Sequence, residues 1–567
     1  MNKLTAYLKE NKRYMVLIKG AIALLFPLLF CVIYCAIQGK TIGQAYLPDC
    51  EWNDELFYYK QVEGIVKFGF PQGYFGFNES HAESLSFAAW SPVLVFPWII
   101  WGLVFGWNLL SPIICNIVLL CITTCLFVVL TGMNWKQMAS LGIGMICFIP
   151  FERYMLSGMP EIICFCMVIL FSAFSYSFLV KDKTWKFVMM LVMSAIMTLM
   201  RPYLLLFMLL PLVLAFTSKK IGRIIASIIT FIVTLLIYAC VKKYLGAEYF
   251  TPLFSMNWLT DFFTKGIGTG IHNFFGRLYY MTRDFIGHSI QGVRTGLASG
   301  AFFVTYIIMI IVFAVQFVLD LVKFVKSVKK PKNEAKKTES NEEVKKDKKE
   351  VVEGIGLDES VRKRIKELSH TALKSRLILE GHYLFAMLGM LAALLLMYKL
   401  TEGSKHLLTF IAGGIFVMAL MNNEYFIKNV VIGLTCVFFF VAKANSAYDY
   451  QVPFATADTV AKTETWKEAM KDMTLTENAP NFDNVVIWNL YDKLDDKIIF
   501  MKWQRLYSLP EGFGISCCEC EYVVDNMDSL QSKYIVTLTN GTVDKMLEEK
   551  GKTLIYKDDE VSMYILR

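Results

Sequence analysis

Charge is scarce in this chain. Only 19% of its 567 residues are Asp, Glu, Lys or Arg, where a soluble protein carries about a quarter. With 55% hydrophobic residues, that shortage excludes an ordinary soluble globule. Other signatures are missing too. The polar C-terminal region has no Gly-rich phosphate loop, no His pair at metal spacing and no nucleophile motif. No internal repeat of the kind common in transporters is found. No small-residue cleavage site follows the first apolar run, so that run is expected to remain as a helix. The net charge of +8 comes mostly from lysines flanking apolar segments, the positive-inside pattern, and gives no reason to expect nucleic acid.

Cysteine is present but forms no metal pattern. Nine of the 14 cysteines lie in apolar stretches between residues 16 and 244 and act there as small hydrophobes. Cys517, Cys518 and Cys520 cluster in a polar region, and Cys-Cys-x-Cys fits no zinc spacing. One disulfide or free thiols are the readings left.

What the chain does have is apolar runs of roughly 16 to 25 residues, which define a polytopic helical membrane protein. About 11 spans are expected, at 16–37, 109–131, 138–150, 160–180, 187–199, 203–217, 224–241, 300–322, 378–399, 406–421 and 426–443. Residues 1–444 thus make the membrane domain. The first outer loop covers 38–108. Within it Trp90 to Trp107 is apolar, broken by Pro92 and Pro97 and rich in Trp, and reads as a juxtamembrane helix. A second large outer loop covers 242–298. Residues 323–376 carry dense lysine and glutamate and read as a largely disordered cytoplasmic loop. Residues 445–567 read as a small extracytoplasmic α/β domain. Its strands are expected at 485–488, 534–538 and 561–566, and a helix at 542–550 stopped by Gly551. The N-terminus falls on the cytoplasmic side.

Acids are rare, so their positions matter. Cys50-Glu51-Trp52-Asn53-Asp54-Glu55-Leu56-Phe57-Tyr58-Tyr59 follows the first span. Acids beside a bilayer are costly unless they face water, a cation or a reacting group. Asp54 is the candidate base, with Glu55 as an electrostatic neighbour; the alternative is an acidic cap on a helix beginning there. Glu161 opens a span, where a carboxylate favours the helix dipole or faces Asp54 across a cavity. In that second case the pair could flank an acceptor or share a divalent cation such as Mg or Mn. Glu152 and Arg153 are expected to pair with each other. Arg201, before Pro202 at an outer helix end, is either a phosphate ligand or a snorkelling interfacial residue. Arg277, Arg283 and Arg294, with Tyr279 and Tyr280, make a basic and aromatic rim in the second outer loop. His382 and Lys405 rank below these; a lone His in a membrane helix is most often a packing contact.

These features resemble the GT-C superfamily of integral-membrane glycosyltransferases. The resemblance rests on Asp54-Glu55 with Tyr58-Tyr59, Trp90-Ser91-Pro92 with Phe105-Gly106, Glu161, Arg201-Pro202 and a terminal outer domain. It implies a polyprenyl-phosphate sugar as donor, an extracytoplasmic glycan, lipid or protein as acceptor, and a hexosyl or pentosyl transfer at the outer face of a bacterial plasma membrane. It also implies that the first-loop acid, Asp54, acts on the acceptor. Tyr58, Tyr59, Arg201, Arg277, Arg283 and Arg294 would bind substrate. An Arg-Tyr found near the last helices of relatives is replaced by Asn423-Glu424-Tyr425, which leaves the second phosphate contact unassigned. The alternatives are a polysaccharide polymerase, which would use paired arginines in an outer loop, and a non-enzymatic lipid-linked glycan flippase.

Overall fold

A computed structural model describes residues 12–49, 52–70, 75–79, 92–244, 256–338, 359–398, 400–421, 433–435, 452–476 and 482–567. Among these, six helices are long and apolar enough to cross a membrane: Tyr14–Ile37, Ser111–Thr131, Glu161–Val180, Ile221–Tyr244, Ala298–Ser327 and Thr371–Leu396. Four shorter apolar helices accompany them, at Pro92–Phe105, Thr184–Met200, Pro202–Ser218 and Ser404–Leu420. The expected span at 426–443 lies almost wholly outside the described residues. The expected span at 138–150 is instead a 13-residue helix, Trp135–Cys147, started by an Asn134–Gln137 capping box. Pro150 then begins a separate turn, Pro150–Met155.

Burial ranks the helices. Glu161–Val180 is almost entirely covered, and Leu407–Leu420 is buried along its whole length. These two form the centre. Ile221–Tyr244 is peripheral, with an apolar surface that only lipid would cover. The Lys-rich segment behaves differently from the expected loop at both ends. The helix begun at Ala298 runs on to Thr338, and another starts at Glu359. Lysine and glutamate are good helix formers, so a polar helix can extend a span.

The C-terminal region builds a six-stranded mixed sheet in the order β1-β5-β2-β6-β8-β7. Here β1 is Phe75–Phe77, β2 Val485–Asn489, β5 Gly514–Cys518, β6 Tyr534–Leu538, β7 Thr553–Lys557 and β8 Val561–Ile565. A separate hairpin pairs β3, Tyr491–Leu494, with β4, Lys497–Phe500. Strands β1, β5, β2 and β6 are parallel, while β8 and β7 are antiparallel additions. The strands β2, β5 and β6 are buried along their whole length, and β2 and β6 are mostly apolar, as a covered parallel sheet requires. Cys517, Cys518 and Cys520 are buried free thiols.

Strand β1 belongs to the first outer loop, so the sheet crosses the expected boundary at 444/445. Its register is Phe75 to Ile515 and Phe77 to Cys517. Glu79, just beyond it, accepts backbone N–H bonds from Gln531 at 3.0 Å and from Ser532 at 2.6 Å. Further back, the Asp49 carboxylate takes the Thr456 N–H and the Thr459 hydroxyl at the start of helix Ala457–Ala469. The first-loop helix Asn53–Phe68, ended by Gly69 at φ +80, lies between these two ties. Lys60 bridges Glu63 at 2.8 Å and the Leu509 carbonyl at 3.0 Å. Phe57 packs edge-on to Trp503. Tyr59 is held between Trp107 of the membrane side and Tyr507 of the outer domain. Gly512 sits at φ +93, and a Cβ there would come within 2.8 Å of Leu475 and 3.1 Å of Phe68.

Candidate active site

Four helix ends meet at one point. Asp54 lies in the first turn of the first-loop helix, and Glu161 begins its span. Arg201 ends helix Thr184–Met200, where Pro202 forces it into an extended conformation (φ −145, ψ 117) and so breaks the helix. Lys405 sits in the turn Ser404–His406 that leads into Leu407–Leu420. The Asp54–Lys405 and Glu161–Arg201 contacts place all four ends on the same side of the helix bundle.

Asp54 and Lys405 form an ion pair. Both lie deep among protein atoms, yet 40% of the Asp54 side chain and 28% of the Lys405 side chain remain open. Deep but accessible groups line a concavity. Burial works against the Asp54 charge, but the Lys405 ammonium, joined by Arg201, outweighs it and holds the carboxyl below the usual carboxylate range. Tyr58 is one helical turn on from Asp54 and shares its face. It is buried and lies within the field of Arg201, Asp54, Glu161 and Lys405. Burial pushes its phenol up despite Arg201, so it remains a neutral hydroxyl.

Arg201 and Glu161 form a second pair at 3.0 Å, both nearly inaccessible. Two sets of charge thus lie side by side, one open and one closed. Tyr203, Tyr398 and His406 close the far wall, with ring centroids 5.0–6.2 Å apart. By sequence Lys405 is a weak candidate, and Tyr203 and His406 carry no signal of their own. The signal available was Gly403-Ser404-Lys405-His406, a polar cluster at the mouth of a wholly apolar helix.

Glu55 goes elsewhere. It is wholly buried, 3.4 Å from Arg153, and accepts the Gly158 N–H at 3.2 Å. Arg153 in turn lies over the Trp52 ring at 3.8 Å. The expected Glu152–Arg153 pair is therefore replaced by Glu55–Arg153, because Glu55 reaches across the loop to the guanidinium. Gly158 is needed here, since a Cβ would stand 3.2 Å from that of Glu55. Tyr59 faces the aromatic clamp rather than Asp54.

The three loop arginines do not gather. All lie on one helix, Ile267–Thr295, whose 1.5 Å rise separates positions 277 and 294 by about 25 Å. Arg277 donates to the Tyr398 carbonyl at 3.0 Å, Arg283 pairs with its exposed neighbour Asp284, and Arg294 is exposed in the last turn. Among the described residues no three His, Cys, Asp or Glu side chains group as metal ligands. Residues 423–425 lie outside the described residues.

No protein-family model matches this chain, and no curated protein matches it. Among solved structures, it is similar to the Archaeoglobus fulgidus oligosaccharyltransferase in its apo form. That match has 12% identity and a TM-score of 0.42, covering 93% of this chain and 70% of the other. ArnT from Cupriavidus metallidurans bound to undecaprenyl phosphate aligns at 8% identity and a TM-score of 0.40, covering 98% of both chains. The likeness is one of broad outline, and no residue role is taken from it.

Proposed function

We propose that this chain is an integral-membrane glycosyltransferase of GT-C type. It would move a sugar from a polyprenyl-phosphate donor to an extracytoplasmic glycan, lipid or protein acceptor. The observation that supports this reading most is the open Asp54–Lys405 pair set beside the closed Glu161–Arg201 pair at the outer helix ends. The reaction needs a base for the acceptor and fixed cations for the leaving phosphate, and these pairs supply both.

In this reading the acceptor hydroxyl enters the concavity and its proton passes to Asp54. The acceptor oxygen bonds to the sugar anomeric carbon as the bond from that carbon to the phosphate oxygen breaks. The lipid phosphate leaves with the electron pair. Protonation of Asp54 cancels its hold on Lys405, whose ammonium then turns to the departing phosphate, with Arg201 adding its field. Tyr58 stays neutral and donates a hydrogen bond to substrate. Glu55 anchors the loop through Arg153 and takes no part in the reaction. A divalent cation at Asp54 and Glu161 would find each carboxylate already matched by a fixed cation, so no step is derived through a metal. Turnover is expected to withstand EDTA; loss of activity on chelation, restored by Mg or Mn, would overturn that part.

The test is direct. Purified protein in nanodiscs is given radiolabelled polyprenyl-phosphate sugars and a panel of acceptors. Asp54→Asn should reduce turnover about 10²–10⁴-fold while thermal unfolding is unchanged. Full turnover in that variant would remove Asp54 from the reaction.

A further inference from the structure

Outside the Asp54 concavity, a second polar recess opens between helix Asn257–Thr264 and helix Ile267–Thr295. Its volume is about 360 Å³, and Trp258, Asp261, His272, Asn273, Arg277 and Tyr280 line it. That volume lies at the lower end of small-molecule sites.

The lining is built, not incidental. Trp258 is fixed by its indole N–H on the Leu396 carbonyl at 2.9 Å and by edge contacts with Phe262 and Phe274. Asp261 is buried and oriented by Asn273 at 2.6 Å and Lys265 at 2.9 Å. Arg277 is held by the Tyr398 carbonyl, while its buried Nε has no hydrogen-bond partner among the described residues. His272 and Tyr280 are exposed at the rim. Tyr280 and Trp258 offer flat apolar faces, and the carboxylate, amide, imidazole and guanidinium offer planar donors and acceptors around them. Lys265 and Asn273 already occupy the Asp261 carboxylate, and a purely apolar guest would strand the remaining polar groups. A ligand with C–H faces and many hydroxyls satisfies both the flat rings and the polar groups.

We propose that this recess is a saccharide-binding subsite. It stands one residue layer from the Asp54 site, because Tyr398, whose carbonyl holds Arg277, packs its ring against Tyr203 and His406. The opposite side of the same helix exposes Ile267, Ile271, Phe275, Ile286 and Ile290 at helical spacing. A saccharide here is therefore either free or the head group of a lipid in the adjoining bilayer. The subsite stands on its own lining; only its link to transfer rests on the proposed function.

The experiment uses the full chain in nanodiscs. Chitobiose, mannobiose and maltose are titrated in solution, and undecaprenyl-phosphate glucose is titrated in the disc, with binding read by thermophoresis. At least one probe should saturate, and Tyr280→Ala and His272→Ala should each weaken it fivefold or more. Tyr280→Phe should retain binding, and so should Asp54→Asn. Saturation only by the soluble sugars marks a free saccharide, and only by the lipid marks a head group. No saturation by any of the four, or binding unmoved in Tyr280→Ala and His272→Ala, overturns the proposal. Binding that depends on Tyr280 without turnover for any donor would remove the transfer reading and leave the subsite standing.

Discussion

At the scale of single residues, the Asp54–Lys405 pair sets the behaviour of the site. A carboxyl held below the usual range stays ionised as pH falls, so it is available as a base throughout the neutral and mildly acidic range. The acid limb of kcat/KM should therefore lie below the ordinary carboxylate value of 3.8. Lys405→Met removes the dominant cation and leaves burial opposed by Arg201 alone. The limb should then move upward, through and above that value, in a pH–rate profile of the purified variant. An unmoved limb would show that Lys405 does not tune Asp54. Asp54, Glu161 and Arg201 were legible in the sequence because each breaks a local rule: acid at a membrane surface, acid opening a span, arginine before proline. Lys405 was not, because its meaning comes from a partner 351 positions away. Glu55 was half legible; its acidity was plain, but the pairing with Arg153 depends on how the loop folds back.

At the scale of elements, the site is a junction of helix ends, and the closed pair between two of them carries stability. Removing one member of a buried ion pair leaves the other uncompensated, at a cost of about 3–5 kcal/mol. Arg201→Leu should lower the unfolding temperature in detergent sharply, while Arg201→Leu with Glu161→Leu should recover much of the loss. A double variant no better than the single one would mean that the pair is not what joins these helices. Apolar runs revealed most helices, and the buried strands β2, β6 and β8 showed as short β-branched and aromatic runs. The others escaped for physical reasons. Strand β1 is only three residues, Phe75-Gly76-Phe77, and β5, Gly514-Ile515-Ser516-Cys517-Cys518, mixes small and polar residues. Strand β7 is half-exposed, so its composition carries little signal.

At the scale of the whole molecule, the outer domain and the first outer loop are one structure. Glu79 and Lys60 are its fasteners, one to the Gln531–Ser532 backbone and one to the Leu509 carbonyl. Glu79→Gln should cost about 1–3 kcal/mol, seen as faster amide hydrogen exchange in β1 and at Gln531 and Ser532 with little change in the central spans. Uniform exchange across the chain, or none, would show that the loop is not fastened there.

The place of β1 in that sheet also imposes an order on synthesis. Its partner strand leaves the ribosome about 440 residues later, which at about 5–20 residues per second is a wait of roughly 20–90 s. Throughout that interval β1 has no strand to pair with, and for most of it Lys405, the partner of Asp54, is not yet made. The Asp54–Lys405 pair thus forms only after most of the chain exists, and the β1–β5 pairing later still. Until then the backbone N–H and C=O groups of Phe75–Phe77 that β5 will pair remain without their strand partner.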